Sequence, residues 1–133
     1  MPDAISAAVT ISSDITTAHT VTVRAGTTLA LGNSQAIGTG SGAVTVETGG
    51  GIELKDGITI AGRALTASGT SSTASPSNII SSLTSVSGDN TWSGDITANT
   101  SNNVRFTSNS GATLRLSGDM SLSGSGSLVL TGS

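Results

Sequence analysis

Three carboxylates are the side chains best placed to do chemistry in this 133-residue chain. Asp95 and Asp119 each follow a Ser-Gly pair at a sequence offset of 24, and Asp89 lies just upstream of the first. In a repeating fold that offset would stack Asp95 and Asp119 one turn apart. Carboxylates so arranged serve as acid/base pairs in polysaccharide cleavage or as calcium ligands. A Ser-Gly-Asp phrase is also an ordinary turn, in which Asp accepts hydrogen bonds from backbone N–H groups. Two stacked carboxylates repel unless a cation lies between them. The turn role is the expectation, with adventitious calcium at Asp89, Asp95 and Asp119 as the alternative. Asp14 and Asp56 hold similar positions ahead of apolar stretches, as a repeated structural role requires.

The other candidates offer less. His19 is the only histidine and has no carboxylate close in sequence, so it reads as a turn residue rather than a general base. Ser and Thr abound, yet no Gly-x-Ser-x-Gly elbow is present. Gly38-x-Gly40-x-Gly42 and Gly49-Gly50-Gly51 neither open a helix nor carry a phosphate-loop lysine, and read as corners. Trp92, the sole tryptophan, could stack on a sugar, but its offset of 22 to Leu114 assigns it to the core. Arg105 and Arg115 are expected to point outward. Asn99-Thr100-Ser101 matches a glycosylation sequon, which has no force if the source is bacterial. The chain is read as a non-enzyme with no catalytic residue and no cofactor.

Positioning these residues falls to very short strands. Apolar–polar–apolar triplets recur at Val9-Thr10-Ile11, Val21-Thr22-Val23, Leu29-Ala30-Leu31, Val44-Thr45-Val46, Ile52-Glu53-Leu54 and Ile58-Thr59-Ile60. They resume at Val104-Arg105-Phe106, Leu114-Arg115-Leu116, Met120-Ser121-Leu122 and Leu128-Val129-Leu130. Alternation sends the outer pair of each triplet to one face and the middle residue to the other. Gly, Asn, Asp and Ser separate the triplets, and no stretch has helical periodicity. Val21/Val23 return as Val44/Val46 and Leu29/Leu31 as Ile52/Leu54, both at an offset of 23. Val104/Phe106 return as Leu128/Leu130 at an offset of 24.

A fixed return with about three triplets per period predicts an all-β, right-handed, single-stranded parallel β-helix of about six turns of 22–24 residues. It forms a single domain over residues 1–133. A segment without apolar alternation, 67–78, is expected to protrude as a loop, with Ile79-Ile80 resuming the core. A meander or sandwich is the rival fold.

Composition narrows the function. Aromatic residues make up 2% and charged residues 10% of the chain, and the net charge is −3. The five basic residues are scattered, so there is no stripe to neutralise phosphates and nucleic-acid binding is not expected. Without cysteine there are no disulfides and no thiolate chemistry. No apolar run reaches the roughly 18–20 residues that span a bilayer. The first residues, Met1-Pro2-Asp3-Ala4, lack the character of a signal peptide.

Asp89-Asn90-Thr91-Trp92-Ser93-Gly94-Asp95-Ile96-Thr97 resembles the "NTYSGGT" phrase of the autotransporter-associated β-strand repeat. Residues 124–133, with Gly124, Gly126, Leu128, Leu130 and Gly132, resemble its "GxGxLxLxG" phrase. Residues 36–46 resemble an "ALGTGxVTV" stretch of such passengers. Gly94-Asp95 replaces the family's Gly-Gly, and no outer-membrane barrel follows. The resemblance implies a parallel β-helix from a large bacterial surface or secreted protein, with no shared catalytic residues.

The expected function is therefore a noncatalytic structural module of a secreted or cell-surface protein: a stalk, adhesin or matrix element. Its partners would be neighbouring repeats or further copies stacked head to tail through open strand edges, with surface glycans as another partner. A carbohydrate-binding or polysaccharide-cleaving domain is the first alternative. An ice-binding solenoid is the second, with an outward array beginning at Thr22 and Thr45 and interrupted by Glu53, Arg105 and Arg115.

Overall fold

The computed structural model describes residues 7–11, 20–34, 36–37, 42–68, 81–99, 103–124 and 127–132. Among them lie fourteen strands and no helix. In chain order these are β1 (Ala7–Ile11), β2 (Val21–Val23), β3 (Thr27–Leu31), β4 (Val44–Val46), β5 (Gly51–Leu54), β6 (Thr59–Ile60) and β7 (Leu65–Ser68). They continue with β8 (Leu83–Ser85), β9 (Asp89–Trp92), β10 (Ile96–Asn99), β11 (Val104–Ser108), β12 (Thr113–Leu116), β13 (Met120–Ser123) and β14 (Leu128–Gly132).

Every pairing is parallel and joins strands from successive coils. Sheet A has the order β1-β3-β5-β8-β11-β14, sheet B β13-β10-β7-β4-β2, and sheet C β12-β9-β6. The chain visits A, C and B in rotation from β5 onward. The fold is thus the all-β parallel solenoid that the repeats predict. It makes about four turns rather than six. Three coils carry a strand on all three sheets, and at the N-terminal end sheet C has no described strand opposite β1–β4. At the usual strand spacing the six strands of sheet A span about 24 Å.

Register shows why the sequence folds this way. One inward column of sheet A runs Val9, Leu29, Ile52, Leu83, Phe106, Leu130. Sheet B contributes Val21, Val44, Leu65, Ile96, Met120 and, beside it, Val23, Val46, Ala67, Ala98, Leu122. Each coil is too thin to bury its own apolar face, and stacking makes one continuous core from Val23 to Phe106. The equivalences at offsets of 23 and 24 stand as the sequence has them, except at Trp92. That residue pairs with Leu116, at an offset of 24, and Leu114 pairs with Asn90. Its core assignment holds, for Trp92 is fully buried.

Between Ile52 on β5 and Leu83 on β8 the return lengthens to an offset of 31, which locates the extra segment. The first two residues of the loop expected over 67–78 are strand instead. Ala67 and Ser68 lie on β7, paired with Ala98 and Asn99, and Ala67 is fully buried. Alanine reads as polar-loop filler in a Ser/Thr-rich stretch, yet it fits an inward position where the section is narrow. Residues 69–78, and Ile79-Ile80 beyond them, lie outside the described residues.

Candidate functional site

The Ser-Gly-Asp phrases are corners between sheets C and B. A Cβ placed on Gly94 would lie 2.0 Å from the Arg63 carbonyl oxygen, and one on Gly118 would lie 2.3 Å from the Gly94 carbonyl oxygen. Three successive coils therefore press their corner backbones together at Arg63, Gly94 and Gly118, and only glycine permits the approach. Trp92 Nε1 donates to the Arg63 carbonyl at 2.9 Å, closing the same corner from inside. The Arg63 side chain is fully buried, and loss of hydration lowers its pKa from the usual value.

Asp95 and Asp119 do stack one coil apart. Asp95 Oδ1 accepts the Asp119 backbone N–H at 3.0 Å, which is the turn role expected of it. Asp89 stands at the far end of β9, roughly 13 Å from the corner at strand rise, and pairs with Thr113. The three carboxylates therefore do not converge. Among the described residues no group of three acidic, histidine or cysteine side chains could hold a metal ion. The stacked pair is Asp95 with Asp119, and Asp89 does not join it.

Asp56 sits at φ +69°, its N–H donating to the Ser87 carbonyl at 2.8 Å and its carboxylate accepting from Ser87 Oγ at 3.3 Å. That is again a corner role. Gly49-Gly50-Gly51 also forms a corner, with the Gly50 N–H donating to the Glu47 carbonyl. His19, Asp14, Gly38 and Gly40 lie outside the described residues.

Two features go beyond the motifs: one leaves no sign in them, and the other extends the array expected from Thr22 and Thr45. Asn90 is fully buried on β9, aligned with Leu114 of β12. Its Oδ1 accepts the Ile58 N–H at 2.8 Å, while Nδ2 donates to Leu54 O (3.1 Å), Ser85 Oγ (2.8 Å) and Ser87 O (2.9 Å). One amide thus stitches the sheet A–C corner of one coil to the next. The second feature is the outer side of sheet B, where Thr22, Thr45, Thr66, Thr97 and Ser121 form a single column over five strands. Glu53 and Arg105 lie on sheet A and Arg115 on sheet C, so they do not interrupt it.

The ends differ from the middle. Inward positions that are 0–2% exposed at Leu83, Phe106, Ile96 and Ala98 become 69% exposed at Leu130, 38% at Met120 and 59% at Leu122. A hollow of about 150 Å³ opens there between Phe106, Leu114, Leu116 and Leu130. Among the described residues, β12, β13 and β14 also leave one edge of each sheet unpaired, with β14 one strand above the other two. At the opposite end Val9 is 49% exposed.

Comparison with known protein families, with characterised proteins and with solved structures returns no match.

Proposed function

We propose that the chain is a noncatalytic structural module, a rigid β-solenoid segment of a bacterial secreted or cell-surface protein that acts as stalk, adhesin scaffold or matrix element. The observation that carries this reading is the opening of continuous aliphatic columns at the β12–β14 end. Open edges and bare aliphatic columns fit one kind of partner, another β-coil of the same section. A neighbouring repeat or a second copy of the chain supplies it. Natural edge strands blunt themselves with lysine, proline or inward charge. β13 and β14, Met-Ser-Leu-Ser and Leu-Val-Leu-Thr-Gly, use none of these. The autotransporter-type phrases support an extracellular setting, and the corner role of Ser93-Gly94-Asp95 gives one of them a structural meaning.

Light scattering across a concentration series tests the reading. The chain is expected to associate as concentration rises, and Leu122→Lys with Leu130→Lys to remain monomeric with unchanged circular dichroism. A wild-type chain that stays monomeric throughout contradicts association through this end.

The hydroxyl column of sheet B supports a second reading, an ice-binding face, since threonine ladders at strand spacing order water. Thermal hysteresis tests it, and its absence at millimolar protein removes it.

A further inference from the structure

The outer side of sheet A holds a trough of about 300 Å³ that the structural role leaves unused. Thr28, Ser81, Thr84 and Thr107 line it with hydroxyls, Asn109 with an amide and Glu53 with a carboxylate. Gly51 lines it too and contributes no side chain, which helps keep it concave.

The lining is chemically uneven. The hydroxyls of Ser81 and Thr107 hydrogen-bond to each other, and Thr107 Oγ1 shares a hydrogen bond with Thr131 Oγ1 at 2.8 Å. Glu53 is half-buried between Ala30 and Thr84 of the neighbouring strands. It forms no hydrogen bond or ion pair among the described residues, not even with Lys55 two positions along. A half-buried carboxylate without a donor is costly unless something supplies one.

We propose that this trough binds a neutral polysaccharide. A carboxylate can accept two O–H groups at once, and a vicinal diol presents two. Hydroxyls on successive strands recur at about 4.8 Å along the rod, close to the rise of one pyranose in an extended chain. Thr84, Thr107 and Thr131 form such a series beside Glu53. An anionic glycan would be repelled by Glu53, and the absence of a basic residue from the lining, among the described residues, fits a neutral one. The described tryptophan and phenylalanine, Trp92 and Phe106, are both buried, so stacking adds nothing and affinity comes from many weak contacts along a polymer. This site is separate from the Asp89, Asp95 and Asp119 corners, and it does not depend on how the rod's ends are occupied.

Affinity electrophoresis in gels containing dextran or hydroxyethyl cellulose, α- and β-linked neutral glucans, tests the assignment. Retardation is expected in at least one polymer. Glu53→Ala should weaken it tenfold or more and Thr84→Val about threefold, while Glu47→Ala, just past the end of β4, should leave it unchanged. Glu53→Gln, which keeps the shape and some hydrogen bonding, should fall between wild type and Glu53→Ala. Circular dichroism checks that each variant is folded. Mobility unaffected by both polymers overturns the proposal, as does equal retardation of wild type and both Glu53 variants.

Discussion

Asn90 shows how much a single side chain can hold in a protein with so thin a core. Its amide uses Oδ1 and Nδ2 on four partners from the 54–58 and 85–87 segments. Replacing it with alanine leaves the Ile58 N–H buried without its acceptor, and takes one of the two hydrogen bonds from each of Leu54 O, Ser85 Oγ and Ser87 O, which keep those from Val86 N–H, to Thr113 O and from Asp56 N–H. Asn90→Ala is expected to lower stability by about 2–3 kcal/mol, read as a shifted urea midpoint with unchanged slope. A change below about 0.5 kcal/mol would mean that water replaces the amide. The sequence offers no hint of this role. Asn90 sits inside a phrase that resembles a known repeat, yet it occupies the apolar slot of its strand, and composition marks asparagine as a turn residue. Glu53 is the converse: it is the middle residue of an expected triplet, and its setting emerges only when strands β3 and β8 are laid beside β5.

At the scale of elements, the expected triplets all coincide with strands or overlap them, because both inward positions of each are aliphatic or aromatic. Strands β7 to β10 are harder to read. Leu65-Thr66-Ala67, Leu83-Thr84-Ser85, Asn90-Thr91-Trp92 and Ile96-Thr97-Ala98 each give one inward position to a small or polar residue. Ser85 is tolerated inside because its Oγ donates to the Thr113 carbonyl at 2.7 Å and accepts from Asn90. The corners are legible as turns but not as contacts. Gly94 is required by an approach that only the stacked coils create, so Gly94→Ala should cost about 2 kcal/mol or more through backbone displacement. Gly111, with φ +78° and no atom near a built Cβ, is the comparison: Gly111→Ala should cost only the backbone strain, about 1 kcal/mol. Thermal unfolding of the two variants checks the order, and equal losses would contradict the close-packed corner.

For the whole molecule, the register makes stability axial. Each coil depends on its neighbours, so cooperativity should weaken toward the ends, where Met120, Leu122 and Leu130 are exposed. The solenoid is readable from the returns at offsets of 23 and 24. The number of turns is not, since it depends on which strands share a sheet and on the step of 31 residues from β5 to β8, where the regular return is replaced. Nor is the step at the end readable, because which strand belongs to which sheet is a property of pairing. That step is where the structural reading is most exposed to test. Hydrogen exchange measured by mass spectrometry at low and high protein concentration reads it strand by strand. The account predicts that amides of β5 to β10 are protected at both concentrations, while those of β12, β13 and β14 exchange rapidly when dilute and gain protection when concentrated. Exchange in β12–β14 that is independent of concentration would contradict a role built on stacking through that end.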